Sequence, residues 1–350
     1  MRFIKVGVAN LRNISAATLK PGKCINLVVG PNASGKTSLL EAMDLLCSGR
    51  SFRERNPDRI MQIGQSTMNI SGQVCRKDGV EIRVAMERSQ GRTRCRYNKQ
   101  PVKNASDLSR KLPTIAIRPE SHSLISGGPK ERRRFLDRSL FHVEQQYFEI
   151  WTRYHRALRQ RNRALSDSRQ DMDVWDRQLA SLALELDYIR GRHVERLWVK
   201  AVEHYGDFLP SAVSLDYYPG WRRSVEYAQQ LRDDRAGDRE QGFTRHGPHR
   251  ADLIFKHGGR EATTILSRGQ AKLLIAAIML SQARLLMDLG AWPVLLLDDL
   301  FSELDQPACD RLLTSLDAMN LQTFITATAE ERVVPDGEFR VFHVERGQVS

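Results

Sequence analysis

The stretch "INLVVGPNASGKTSLLEAM", Ile25 to Met43, joins a short apolar, β-branched run to a glycine-rich turn and then to a pattern with Leu39, Leu40, Met43 and Leu46 at helical spacing. The continuous run "INLVV" suits a strand buried on both faces of a parallel sheet. The turn from Gly30 to Thr37 fits G-x-x-x-x-G-K-[ST], and each residue type has a physical task. Glycines let backbone N–H groups turn inward around phosphates, Lys36 reaches the β/γ oxygens, and Thr37 offers its hydroxyl to Mg²⁺. The following helix points its positive end at the anion. Gly30, Asn32, Ala33, Ser34, Gly35, Lys36, Thr37 and Ser38 are therefore the candidate nucleotide-binding residues. A glycine turn without a ligand is the competing account, and the strand and helix on either side disfavour it.

A phosphate loop says only that a nucleotide binds; the rest of the site decides the class. "WPVLLLDDLFSELD", Trp292 to Asp305, delivers two carboxylates, Asp298 and Asp299, at the C-terminal end of a buried-strand run. That end of the strands is where ligands sit in doubly wound α/β sheets. Adjacent acids on a hydrophobic strand are costly unless they hold a cation or polarise water. Asp298 is the candidate Mg²⁺ residue, with Thr37, and Asp299 the candidate water-orienting base, so that Asp299, Asp298 and Lys36 form the candidate catalytic set. A strand-to-helix N-cap pair is the alternative account of the two aspartates.

A third stretch, "LSRGQAKLLIAAIMLSQARLL", opens with Ser267, Gly269 and Gln270 and continues as a long apolar helix. A serine N-cap followed by glycine exposes first-turn N–H groups, a second socket for a γ-phosphate that the first loop does not need. One nucleotide cannot use both sockets of one chain. The economical inference is that two chains sandwich two ATP molecules head to tail. A plain serine N-cap is the bland alternative.

The 350 residues exceed one ordinary core, so two lobes are expected. The five scattered cysteines show no C-x-x-C pair, which argues for a reducing compartment rather than disulfides or zinc. Lys5 and Arg12 interrupt the N-terminal apolar run, and no window of spanning length is free of charge, so a soluble, cytoplasmic protein is expected. The formal charge of +12 attracts polyanions and makes nucleic acid the leading partner class, against the alternative of a merely solvated basic surface. The candidate DNA contacts fall in "GRSFRERNPDR" (Arg50, Arg53, Arg55, Arg59) and "PKERRRFLDR" (Arg132, Arg133). Neither run interleaves aromatics as a single-strand stacking platform does, so backbone contact with duplex is favoured. Ion pairs with Glu54, Asp58, Glu131 and Asp137 are the alternative use of these arginines.

Between Lys36 and Ser267 lies more chain than a compact cassette needs. Tyr147, Trp151, Tyr154, Leu158 and Leu165, then Trp175, Leu179, Leu182, Leu186 and Ile189, recur at helical spacings and predict two helices folded back on each other. At 1.5 Å per residue neither arm exceeds about 50 Å. Residues 69–98 alternate as an antiparallel meander, with Lys77-Asp-Gly79 as a turn. "QLRDDRAGDREQG" reads as an exposed loop. The expected organisation is an ATPase lobe from 1–125 and 292–350, and a helical, signature-bearing lobe from 126–291 with an arm over about 143–200.

In order and content, the phosphate loop, S-x-G-Q, "LLLDD" and "SELD" resemble the ATP-binding-cassette ATPases and, within them, the SMC branch. "FRERNPDRIMQIG", "IRPESHSLISGGPKERRRFLD", "LRQRNRAL", "TRHGPHRADL" and "LSRGQAKLL" resemble more closely the RecF family of bacterial recombination mediators. The resemblance implies an α/β cassette-type ATPase lobe with a mixed sheet and a mainly helical second lobe. It also implies ATP-dependent dimerisation on DNA, work at single-strand gaps, and partnership with RecR and RecO to load RecA. Asp299 stands where many of the class carry glutamate. No glutamine lid is assigned; Glu120 in "IRPES" lies in the corresponding region. The rival is an ATPase subunit of a membrane transporter, which would share the three motifs but has less reason for the basic charge or the helical arms.

Overall fold

The computed structural model describes residues 1–49, 51, 53–54, 56–89, 91–102, 104–144, 146–167, 171–328 and 337–350. The chain divides into two compact units, Met1–Ser121 with Leu286–Ser350, and His122–Leu285. The first unit holds two six-stranded sheets. One is antiparallel and contains Arg2–Leu11, Ile14–Leu19, the meander Thr67–Cys75, Glu81–Ser89 and Arg92–Tyr97, and the short strand Gln100–Pro101 at its end. The Lys77-Asp-Gly79 turn forms as its sequence requires, with Gly79 at φ 82. "NKQP" supplies the next reversal, where Asn98 and Lys99 take φ 48 and 68.

The other sheet is parallel except for its C-terminal hairpin. Its order runs Gln348–Val349, Phe339–Glu345, Ile25–Val29, Thr323–Ala327, Val294–Leu297, Thr114–Ile117. The helix Lys36–Ser48 packs on strands of both sheets, and every residue from Ser38 to Cys47 is buried. A helix enclosed on all sides must satisfy its charged residues internally. Glu41, fully buried, does so by a bidentate pair with Arg12, at 2.9 and 3.0 Å.

In the second unit, the helices Tyr147–Ser166 and Met172–Tyr205 pack against each other. Arg161 pairs with Asp176 near the tip and Arg190 bonds Tyr147 toward the base, which makes the two helices antiparallel. Of the seam positions, Tyr147, Tyr154, Leu158, Leu165, Leu179, Leu182 and Leu186 are buried. The second helix continues past the expected seam to Tyr205, so its 34 residues reach about 51 Å. Two expectations need correction here. "QLRDDRAGDREQG" is not an exposed loop but two short helices, Tyr227–Asp233 and Arg235–Gln241. Asp238 is buried between Arg161 (2.7 Å) and Arg245 (3.0 Å), whereas Arg232, Asp233, Arg239 and Glu240 are exposed as expected. The unit also carries a three-stranded antiparallel sheet, Val213–Tyr218, Asp252–His257 and Arg260–Glu261, that the helical periodicity did not disclose.

Arginines of this unit's basic motifs form its polar interior. Arg161 of "LRQRNRAL" is fully buried and also donates to Thr244 Oγ1 and Leu231 O. Arg190 donates to Asp137 and to Pro248 O. Buried charges with these partners cost little, whereas unpartnered ones would be strongly destabilising. Burial lowers the pKa of His193 to about 3 and that of His249 to about 4, from an ordinary 6.5. Both are neutral in the fold, while the unfolded chain takes up protons below 6.5. Their contribution to stability is complete above that value and is lost as pH falls toward about 4 and then about 3. Each is expected to cost about 2 kcal/mol between about pH 7 and about pH 5. In urea unfolding at the two pH values, His193→Gln should remove about half of that acid loss; an unaltered pH dependence would show that His193 titrates normally.

Candidate ATP-binding site

Strand order brings the motifs of the first unit together. Thr323–Ala327 lies between Ile25–Val29 and Val294–Leu297, parallel to both, so the phosphate loop and the two aspartates emerge at the same C-terminal edge. Thr37 Oγ1 donates to Asp298 Oδ1 at 2.9 Å, and Thr326 Oγ1, from the intervening strand, donates to the same oxygen at 2.8 Å. The Asp299 N–H donates to Thr326 Oγ1 at 2.9 Å. Thr326 thus positions both aspartates, and its own sequence surroundings gave no sign of this. Burial raises the Asp298 pKa above 3.8; the hydroxyls of Thr326 and Thr37 oppose the rise, and the charges of Asp299 and Glu120 add to it. Asp299 itself sits in left-handed backbone, φ 53, a conformation short polar residues tolerate.

The loop needs its glycines. A Cβ on Gly30 would meet Val344 O at 2.1 Å, and Gly35 takes φ 121. Lys36 Nζ donates to Gly30 O at 2.7 Å and Pro31 O at 2.8 Å, lying across its own loop. Burial lowers its pKa, and the two aspartates work against that. Ser34 Oγ is buried with no hydrogen-bond partner among the described residues, while Asn32 and Ala33 face solvent. Two residues missed in the sequence brace the loop from outside. Asn13 Nδ2 donates to Ala33 O (3.2 Å) and Ser34 O (3.0 Å), its Oδ1 accepts from Ser38 Oγ (3.3 Å), and the Gly347 N–H donates to Ser34 O at 2.8 Å. Asn13 sits in a strand-turn-strand reversal and Gly347 in the C-terminal hairpin, so only tertiary contact reveals them.

In the second unit, Ser267 and Gln270 form a reciprocal capping box at the start of Arg268–Asp288. The Gln270 N–H donates to Ser267 Oγ (3.2 Å) and the Ser267 N–H to Gln270 Oε1 (3.0 Å). Ser267 and Gln270 are exposed and Gly269 is half-buried. Among the candidate DNA contacts, Arg53 is exposed and Arg59 is 74% exposed, 3.9 Å from Glu54. Arg50 and Arg55 lie outside the described residues. Arg132 is held by Asp252 at 2.7 and 2.8 Å and donates to Gly127 O, while Arg133 donates to Ala251 O. Both guanidiniums are thus engaged within the second unit, by Asp252 and by backbone carbonyls rather than by the Glu131 and Asp137 weighed for that run. The cause is proximity to a strand, Asp252–His257, that the sequence analysis did not place.

The chemistry these groups can perform is cation-assisted binding of a triphosphate, with a carboxylate beside the phosphate end. Fold and site together define an ATPase fold of the SMC/RecF-like class. A profile of the RecF/RecN/SMC N terminal domain family matches residues 3–349, and the chain belongs to this family. The DNA replication and repair protein RecF of Hydrogenovibrio crunogenus is 36% identical over 357 residues, covering 99% of this chain and 98% of its own length. That of Xanthomonas axonopodis pv. citri is 37% identical over 362 residues, with 100% and 98% covered. The solved structure of the recombination mediator protein RecF with ATP, in the RecFOR pathway, superposes with a TM-score of 0.84 at 26% identity, covering 99% of this chain and 96% of that one. An SMC head bound to a winged-helix domain of ScpA shares the fold at TM-score 0.63 and 13% identity, with 100% and 96% covered.

Proposed function

We propose that this chain is a DNA-binding ATPase of recombinational repair, acting in the cytoplasm, that dimerises when it holds Mg²⁺-ATP at gapped DNA. It assists RecR and RecO in loading RecA, and slow hydrolysis resets it. The observation that carries this reading is the Thr37–Asp298 contact, 2.9 Å, beneath a loop whose Ser34 hydroxyl is buried without a partner. An orphaned buried hydroxyl is costly unless a ligand satisfies it, and a phosphate oxygen does. Bound Mg²⁺ supplies charge neutralisation across phosphate oxygens; Thr37 and Asp298 would hold it, a small protein share of the kind this ion usually takes. Lys36 exchanges two loop carbonyls for the β/γ oxygens, the loop N–H groups orient the chain of phosphates, and Asp299 orients the attacking water. Ser267, Gly269 and Gln270 close the γ-phosphate of a second copy.

The transporter alternative is not favoured, since the relatives above are DNA replication and repair proteins. Among the described residues one helix, Arg268–Asp288, is long and apolar enough to cross a membrane; it is largely buried in the protein and carries Lys272 and Arg284. The test is sedimentation with ATP and with ADP, each with and without gapped duplex. ATP should produce dimers. Ser267→Arg should bind ATP nearly as the wild type does and fail to dimerise. Ser267→Asp keeps a capping oxygen, and so the helix start, yet should fail equally because its carboxylate would oppose the γ-phosphate. Normal ATP-dependent dimerisation by both variants would overturn the head-to-tail arrangement.

A further inference from the structure

Arg92, Arg94 and Arg96 alternate along the strand Arg92–Tyr97, so all three stand on one face of the antiparallel sheet. Its other face is core, lined by Ile82, Val84 and Met86. The register Ser89↔Arg92, Glu87↔Arg94 and Ala85↔Arg96 places the row beside the outward residues of Glu81–Ser89, where Arg83 is also exposed. Two strands further across the face, beyond Thr67–Cys75, Lys5 is exposed on Arg2–Leu11. Gln73 stands directly between Lys5 and Arg83 and donates to Glu81 on the same face, and the neighbouring ground is made of short side chains such as Ser71 and Ala85 and the bare backbone of Gly7.

Several arginines of the chain are held by carboxylates: Arg12 by Glu41, Arg88 by Asp58, Arg132 by Asp252, Arg161 by Asp176. Arg83, Arg92, Arg94 and Arg96 have no salt bridge or side-chain hydrogen bond among the described residues, although Glu87 lies directly opposite Arg94. The sheet ends in the two-residue strand Gln100–Pro101, paired to Arg96 and Tyr97, and charges near a sheet edge also block edge-to-edge pairing. That purpose needs charge near the edge alone, whereas Arg83 and Lys5 carry the basic character inward over the face.

We propose that this sheet face is a phosphate-backbone contact surface for duplex DNA, distinct from the arginines that follow the phosphate-loop helix; it rests on the DNA-binding reading above. Alternate residues of a strand stand about 6.7 Å apart, so the three arginines span about 13 Å, the axial length of about four nucleotides of one DNA strand. Tyr97, the aromatic of that strand, points to the core side, with Lys111 over its ring at 4.6 Å. The face therefore offers no stacking platform for unpaired bases. A flat row of guanidiniums meets phosphates without entering a groove, and contact is indifferent to sequence.

The experiment is a salt titration of affinity for a fluorescein-labelled blunt duplex longer than one helical turn, with Mg²⁺ and a slowly hydrolysed ATP analogue. Each phosphate contact contributes about 0.9 to the log–log slope, so Arg92→Ala, Arg94→Ala and Arg96→Ala should each flatten it by about one unit. In the triple variant the loss of affinity between 50 and 200 mM salt should shrink about forty-fold, a factor of about 3.5 per contact. The triple Arg→Lys variant keeps the charges and should keep the slope, and Glu87→Gln should tighten binding. Thermal unfolding of the alanine variants should match the wild type. Wild-type slope in the triple alanine variant, with DNA still bound, overturns this assignment alone, including in favour of an acidic protein partner for the face. Absence of any duplex binding by the wild type overturns both this inference and the DNA-binding reading.

Discussion

Lys36→Met is expected to bind ATP about a hundredfold more weakly than the wild type, because it removes a charge-assisted contact to the triphosphate and leaves loop carbonyls without their donor. The geometry sharpens the expectation. Lys36 Nζ lies 2.7 Å from Gly30 O and 2.8 Å from Pro31 O, so the ammonium already rests over the loop and needs only a side-chain swing to meet a phosphate. Asp298 and Asp299 sustain the lysine's protonation against burial, and a cation that gains from a carboxylate favours that carboxylate's ionised form in return. Without the Lys36 charge, the already raised Asp298 pKa should climb further, and Mg²⁺-dependent binding should weaken more steeply on acidification than in the wild type. Lys36→Arg should not restore affinity, since a planar fork cannot replace a compact ammonium inside the loop. Titration with a fluorescent ATP analogue decides the matter: a loss below about fivefold would place the phosphates away from this loop.

Asp299→Asn should lower ATP turnover by about a hundredfold or more while leaving Mg²⁺-ATP binding unchanged, since a positioned general base contributes factors of that order. Binding survives because Thr37 and Asp298 are untouched. Wild-type turnover should itself be slow. The backbone of Asp299 is pinned by Thr326 Oγ1 on its N–H and by Ser302 Oγ, which donates to its carbonyl at 3.1 Å, so the shorter side chain cannot recover reach by shifting. A water held about an ångström too far costs on the order of a hundredfold in rate. Asp299→Glu, which restores the methylene, is expected to hydrolyse faster than the wild type and to leave DNA sooner, whereas Asp299→Asn should persist on it. Rapid wild-type turnover that Asp299→Asn leaves unchanged would move the base's role elsewhere, for instance to Glu303 in the turn Leu300–Glu303.

Interior and exposed arginines respond differently to removal, and this bears on any mutational survey. In the second unit Arg161 and Arg190 are interior groups tied to Asp176, Asp238 and Asp137. Their removal would leave buried carboxylates uncompensated, and loss of function there would report folding rather than DNA contact. Arg83, Arg92, Arg94 and Arg96 offer the opposite case, exposed groups whose removal should leave the fold intact.

Contiguous features were legible before any coordinates. The phosphate loop, the apolar strand before it, the helix after it and the aspartate pair can be read locally, since a strand, a turn with φ above zero and a helix start each impose residue types on neighbouring positions. The heptad-like seam of the two long helices was legible for the same reason. Strand order was not. Nothing in "TFITA" says that this strand enters between the phosphate-loop strand and the aspartate strand, and only that insertion makes Thr326 the hydroxyl shared by Asp298 and Asp299. Asn13 and Gly347 brace the loop across turns remote in sequence from it, and the charged stretch after Tyr227 became helical because Arg161 and Arg245 neutralise Asp238. Which arginines are free for a polyanion was likewise beyond the sequence: a run of basic residues looks the same whether its guanidiniums meet solvent or a buried carboxylate. Local backbone geometry constrains adjacent residues, whereas pairing energies act between residues far apart in the chain, and these only the folded structure brings into contact.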